Sequence, residues 1–419
     1  MSKKLLHTPE GVRDIYNSQC EKKMVLEQGL HQVLKSYGYH DIESPTIEYF
    51  DVFSSEVGTI SSKELYKFFD REGDTLVLRP DLTPSIARFV STAYRNEDMP
   101  LRLCYKGKTF VNYSSYQGRL KETTQLGAEL IGEDSKSGDG EMIALVVDLL
   151  LASGLQDFQI SIGHVDFFKS LIEEAGIEED GEDRLRDLIS NKNMFGVEEI
   201  LQNFDVSEEI KSLFLKLPQM VGDLTMLDEI KASITSHRVK MSIIRLQEVY
   251  RVLSFYGYEK YIAFDLSMLN KYKYYTGIVF RAYTFATGDA IVKGGRYDKL
   301  LSYFGKDAPS IGFTVVIDEL LAALMNQNIE IPIDQNNTLI LYESEEEEFA
   351  IGLAKHFRET GLKVELMVAN PEKTLDNYIA FAKRNPIGGI LYVQSKDEVQ
   401  VMNVKTGETV TTDIASMMG

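Results

Sequence analysis

Four stretches of the sequence gather residue types able to pair with the charged and polar groups of a small ligand. LRPDLTPSIAR (78–88) carries Asp81 and Thr83, and ETTQLGAELIG (122–132) carries Gln125 and Glu129. Being four apart on a strand-like segment, Gln125 and Glu129 point to one sheet face. NKYKYYTGIVF (270–280) and KGGRYDKL (293–300) add Tyr274, Tyr275 and Arg296. Each has a plain structural reading when taken alone. Asp81 reads as an exposed loop acid and Glu129 as a paired acid at a strand end, and the two tyrosines read as core packing of a β-rich segment. Gly294 and Gly295 read as a turn with positive φ, from which Arg296 either holds a carboxylate or braces the loop. His164 has no acid or nucleophile pattern around it and reads as structural. Lys106, Lys108, Arg119 and Lys121 form a local cationic group, either solvated strand positions or a contact for an acidic partner. Cys20 and Cys104 cannot make a disulfide framework, and no Cys or His cluster has metal-ligand spacing.

The elements that must position these residues follow from periodicity. EKKMVLEQGLHQVLKSYG (21–38) places Met24, Val25, Leu30, Val33 and Leu34 at helical spacing, with Gly38 where a helix would stop. HDIESPTIEYFDVF then enters a core strand through Pro45, since the residue before a proline leaves the helical region. The segments 75–80, 101–111, 122–132 and 159–165 are rich in β-favouring residues and predict a largely antiparallel sheet. From about 166 to 245 the texture is helical and charged and predicts an insertion, after which strand-like YIAFDLSML, YYTGIVFRAYTF and SIGFTVVIDELLAALM return, the last turning from strand into helix. Residues 326–337 read as a linker. Beyond them strand and helix alternate over 338–419, as in a small α/β domain. The core domain is therefore expected over 1–325.

A chain of 419 residues with 44% hydrophobic composition is expected to fold as two or three domains rather than remain disordered. Lys plus Arg number 45 against 64 Asp plus Glu, a net −19, which disfavours a general polyanion-binding surface while leaving room for a local basic groove. Met1–Thr8 carries no apolar leader core, and no stretch approaches about eighteen uninterrupted apolar residues. A protein of the reducing cytoplasm, away from membranes, is expected.

In their order along the chain, TPEGVRD (8–14), LRPDLTPSIAR, the paired strands 101–132, NKYKYYTGIVF, KGGRYDKL and SIGFTVVIDEL together resemble the catalytic core of class II histidyl-tRNA synthetase. The resemblance implies an α+β fold. Its core is the class II aminoacyl-tRNA synthetase-like six-stranded antiparallel sheet flanked by helices, with a helical insertion, a small C-terminal α/β domain like the anticodon-binding one, and a dimer around the Pro45 region. It also implies positions for chemistry. Activating an amino acid with ATP puts charge on the α-phosphate, which a bidentate guanidinium best stabilises. The synthetase's second motif has arginine and glutamate after its phenylalanine, where this chain reads Phe110, Val111, Asn112, Tyr113. Its third motif has glutamate then arginine, where this chain has Asp318 and Glu319, and its histidine-specific arginine falls on Asn270.

The amino-acid pocket keeps its residue types. By resemblance Asp81 and Thr83 face the α-amino group, Gln125 and Glu129 line the same face, and Tyr274 and Tyr275 begin the strand that walls the imidazole, with Arg296 nearby. A synthetase-like chain with this pocket kept and its ATP chemistry dismantled resembles the family of ATP phosphoribosyltransferase regulatory subunits. That resemblance implies a non-catalytic subunit without cofactor or metal. It would join a short-form catalytic ATP phosphoribosyltransferase, support its activity in the first step of histidine biosynthesis, form a homodimer, and take histidine as feedback effector. An active histidyl-tRNA synthetase and a non-catalytic tRNA-sensing module are the alternatives. The eight Lys/Arg against thirteen Asp/Glu of 335–419 disfavour tRNA contact.

Overall fold

The computed structural model describes residues 6–53, 60–114, 118–269, 274–285, 287–333, 337–385, 387–395 and 398–412. The chain forms two compact units, Met1–Arg13 with Leu26–Glu330, and Asp14–Val25 with Ile331–Gly419. The division falls at 330/331, inside the 326–337 stretch between the two domains read from the sequence, and the 14–25 segment belongs to the second unit.

Helix α1 (Asn17–Ser36) buries Leu26, Leu30 and Leu34 at i, i+4, i+8. Met24 and Val25, expected on the inner face, are exposed because they lie out of phase with that stripe. Short β1 (His40–Asp41) is followed by β2 (Ile47–Tyr49), β3 (Lys67–Phe69) and β4 (Thr75–Leu78), which make a separate three-stranded antiparallel sheet in the order β2-β4-β3. The 75–80 segment is therefore a strand, but of this small sheet and not of the main one. After α2 (Thr83–Ala93) come β5 (Leu101–Phe110), β6 (Glu122–Ile131), α3 (Lys136–Ala152) and β7 (Phe158–His164).

The insertion supplies α4 (Val165–Glu174), α5 (Glu179–Ser190), α6 (Met194–Leu201), α7 (Glu208–Lys216), the two-residue β8 (Val221–Gly222), α8 (Leu224–Ser233) and α9 (His237–Tyr256). It continues past 245 because α9 runs on to Tyr256 with Val249 and Leu253 buried. It joins β7 to β9 (Ile262–Asp265), which pair in parallel, and a parallel pair demands such a long crossover. β10 (Ile278–Thr284), β11 (Val292–Arg296), β12 (Ser310–Val316) and α10 (Ile317–Asn326) complete the unit, the last two confirming the expected strand-to-helix passage.

The main sheet runs β1-β5-β6-β12-β11-β10-β7-β9-β8, and its six central strands are antiparallel throughout. Gly294 and Gly295 are not a turn. They lie within β11, where the rings of Phe280 and Tyr275 cross them so closely that an added Cβ would come within 2.4 and 2.6 Å. In the second unit, β13 (Asn337–Tyr342) pairs in parallel with β14 (Lys363–Val368) and β15 (Ile387–Ser395), and β16 (Glu398–Asn403) and β17 (Thr409–Thr412) add an antiparallel edge that the sequence reading did not anticipate. Alternation along β13 sends Ile340 to the core under α11 (Glu347–Glu359) and Leu339 and Leu341 to the core under α12 (Leu375–Arg384).

A buried charge cluster fixes α3 to the sheet and to α9. Asp139, fully buried in the first turn of α3, accepts from Arg296 Nε and Nη2 at 2.9 and 2.6 Å through Oδ1 and from Arg245 Nε at 2.8 Å through Oδ2. Arg296 also donates to the Glu133 carbonyl at 3.0 Å and to Asp298 at 3.1 Å. Asp139→Asn would leave two guanidinium groups facing a neutral amide, and stripping one partner from a buried ion pair costs about 3–5 kcal/mol. The denaturant midpoint of the variant should fall accordingly. An unchanged midpoint would show that the cluster contributes nothing to stability.

Candidate functional site

On β6, alternation sends Gln125 and Glu129 to one face of the sheet together with Thr123 and, just before the strand, Lys121. Over that face lies a cavity of about 470 Å3, within the range of small-molecule sites. Asp81, Thr83, Gln125, Tyr274 and Tyr275 all line it.

Glu129 lies beneath them, fully buried. Its carboxylate accepts from Thr83 Oγ1 at 2.9 Å, from the Tyr105 hydroxyl at 3.1 Å and, in a short contact, from the Tyr297 hydroxyl. Space for it comes from Gly312, its register partner on β12, where a Cβ would collide with the carboxylate outright. Burial pushes the Glu129 carboxyl up to about 8 against those three hydroxyl donors, and the nearby charge of Asp81 adds to the rise. Asp81 sits at the start of α2 and accepts from the amides of Leu82 at 2.7 Å and Thr83 at 3.5 Å. Burial raises its carboxyl too, despite these two donors.

Tyr274 and Tyr275 do not begin β10, which starts at Ile278; they precede it as an aromatic corner. Their ring centroids are 4.6 Å apart, and Tyr297 meets Tyr274 edge-on at 6.0 Å. Thr276, the next residue, is tied to Asp298 at 2.9 Å and to the Arg296 carbonyl through its amide at 2.8 Å. Beyond Gln125 along β6 stand Val111, Tyr113 and Glu319 with the cations Arg119 and Lys121, while Lys293 lines the cavity from β11, level with Gly127.

A family model described as Histidyl-tRNA synthetase matches residues 11–320. ATP phosphoribosyltransferase regulatory subunits from Acetivibrio thermocellus and Ruminiclostridium cellulolyticum are 36% identical over 414 residues and 37% identical over 418. The first alignment covers 99% of this chain and 98% of that protein, and the second 100% and 99%. This chain belongs to the ATP phosphoribosyltransferase regulatory-subunit family. A crystal structure described as an ATP phosphoribosyltransferase regulatory subunit/histidyl-tRNA synthetase from Bacillus halodurans superposes with a TM-score of 0.81 at 33% identity, covering 93% of this chain and 99% of that one. Histidyl-tRNA synthetase from Nostoc sp. PCC 7120 shares the fold, with a TM-score of 0.79 at 18% identity over 98% of this chain and 97% of that one. The family and the class II-like α+β fold read from the motifs are thereby borne out.

For a chain of this family, the structure brings together five of the seven residues singled out in the sequence, with Glu129 as the buried floor beneath them. Arg296 is the exception. It does not line the cavity, because its guanidinium is committed to Asp139, Asp298 and the Glu133 carbonyl, so it braces rather than faces a ligand. His164 is structural, its Nδ1 accepting the Asp166 amide at 3.2 Å as the cap of α4. Burial, then the charges of Arg245 and Arg296, hold its imidazole down at about 3. The sequence reading missed Tyr105 and Tyr297. Tyr297 was available in the same KGGRYD motif as Arg296, whereas only strand register, which sets Tyr105 opposite Gly127, could reveal the first. The four-residue cationic group divides: Lys106 and Lys108 pair with Glu27 and Glu122, while Arg119 and Lys121 stand at the cavity. Asn270 lies outside the described residues.

The proton on Glu129 links the site to stability. Its folded-state value of about 8 exceeds the ordinary 4.5, so between these values the native state binds a proton that the unfolded chain has released, and stability falls as pH rises. Glu129→Gln removes this contribution. The stability of the variant relative to the parent should therefore climb from pH 4.5 to 8 in denaturant titrations, and a difference independent of pH would show that Glu129 is ionised throughout.

Proposed function

We propose that this chain acts as a regulatory subunit without catalysis of its own, joining a short-form catalytic ATP phosphoribosyltransferase in the first step of histidine biosynthesis and taking free histidine in the cavity as feedback effector. The observation that carries this reading is the split in the cavity wall. Where adenylation needs guanidinium groups against a phosphate, the wall offers uncharged Val111 and the carboxylate of Glu319. The opposite end keeps Asp81 and Thr83 above buried Glu129, with Tyr274 and Tyr275 as aromatic walls. Between the two ends, Gln125 Oε1 is buried without a hydrogen-bond partner among the described residues, a costly arrangement that a ligand's N–H would relieve. An ammonium beside Asp81 and an imidazole above Glu129 suit these groups, whereas Arg296 is spent elsewhere.

A homodimer around the Pro45 region is part of the same reading. Register places Ile47 and Tyr49, both about half exposed, on one face of the small sheet with Phe68, Leu76 and Leu78, an apolar face that a second copy would cover. Light scattering should report twice the chain mass. No helix among the described residues is long and apolar enough to cross a membrane, which fits a cytoplasmic role, and the acidic C-terminal segment supports a function without tRNA.

Two outcomes test the effector site. Asp81→Ala removes a charge-assisted hydrogen bond worth about 1.5–3 kcal/mol, so histidine binding measured by calorimetry should weaken roughly ten- to a hundredfold. Inhibition of the complex by histidine should weaken in proportion, because coupled affinities move together. The isolated chain should show no histidine-dependent ATP–pyrophosphate exchange. Exchange above background, or inhibition untouched by Asp81→Ala, would overturn the reading.

A further inference from the structure

The acids Asp81, Asp289 and Glu319 line the cavity, and so do three cations, Arg119, Lys121 and Lys293. Two of these are engaged within the chain. Lys293 pairs with Asp289 at 2.8 Å, and the Arg119 guanidinium sits over the Tyr113 ring, 5.3 Å from its centroid. The Lys121 ammonium has no hydrogen bond or ion pair among the described residues, although its stem is held firmly. The Lys121 amide donates to the Gly11 carbonyl at 2.7 Å, its carbonyl accepts the Val111 amide at 2.9 Å, and its Cγ packs so tightly on Gly11 that a Cβ there would lie 2.7 Å away. A lysine ordinarily holds a long, freely rotating charge in solvent. Here the backbone on both sides and the missing side chain at Gly11 fix where that charge begins.

The reach is right for one ligand group. Lys121 and Gln125 share a strand face and lie four residues, or about 13 Å, apart along it. A four-carbon stem covers about 6 Å of that, leaving between the Lys121 ammonium and the Gln125 side chain a gap that the head of an amino acid can occupy, its carboxylate toward Lys121 and its ammonium toward the unpartnered Gln125 amide oxygen. The position where the resemblance would put a ligand-binding arginine carries Asn270, so the chain must neutralise that carboxylate from elsewhere. We propose that Lys121 holds the carboxylate of the amino acid bound in this cavity and makes the site selective for zwitterions over the corresponding amines. This rests on the effector reading above. Asp81 above Glu129 and the ammonium of Lys121, on the strand face that also carries Gln125, match a molecule carrying both charges, whereas an amine without a carboxylate gains nothing from Lys121.

Calorimetry with histidine and with histidinol, which carries a hydroxymethyl group in place of the carboxylate, tests the assignment on the full chain. Lys121→Met keeps the stem and removes the charge. It should weaken histidine binding by about tenfold or more while changing histidinol binding less than about twofold, and Lys121→Arg should restore much of the histidine affinity. Histidine binding unchanged in Lys121→Met would overturn the proposal. So would an equal loss of histidine and histidinol, which would mark Lys121 as merely structural. Thermal melting of each variant separates either result from loss of the fold. If the parent chain binds neither compound, the effector reading itself fails and this proposal falls with it, an outcome distinct from selective retention of histidinol.

Discussion

A carboxyl group buried without a counter-charge is the constraint around which the first unit is arranged. Glu129 lies across a groove that exists only because its neighbour on β12 is Gly312, and it is capped by hydroxyls from α2, β5 and the residue following β11. Burying an isolated carboxylate is expensive, so the group keeps its proton more tightly than usual or gathers donors. Here it does both. Four segments distant in sequence must therefore converge on one atom group, and that convergence forms the floor of the cavity.

A second buried acid, Asp139, does the complementary work with full neutralisation. Two arginines meet it, one from β11 and one from α9, so the sheet and the helical insertion are tied through a single side chain. The contrast between the two acids explains how KGGRYD divides its labour. Arg296 and Tyr297 are adjacent and point to opposite sides, the arginine into the charge cluster around Asp139 and the tyrosine to Glu129. Asp298 then returns to Thr276 and sets the tyrosine corner of the cavity. One short motif thus serves both scaffold and site.

A fold shared with a synthetase leaves the ends of one cavity free to change independently. Val111 and Glu319 stand away from the hydrogen bonds that hold Glu129, so the chemistry of one part of the wall is set apart from that of the other. The function argued above follows from that site and not from the fold.

The sequence by itself determined a good deal. Ordered motifs disclosed the family, alternation disclosed the strands that carry Gln125 and Glu129, and the strand-to-helix passage at 310–326 was legible in composition alone. These are local signals, written in period and residue type. Tertiary structure decided the rest. Only register shows that Gly294 and Gly295 are flat strand under two aromatic rings, that Tyr105 reaches Glu129 from the neighbouring strand, and that the 75–78 strand belongs to a small separate sheet. Only the packing of α3 and α9 against β11 shows that Arg296 turns away from the cavity. A side chain's charge and length are fixed by its identity, but that Arg296 meets Asp139, more than a hundred residues away, depends on the packing of α3 against β11. No window of sequence contains both partners.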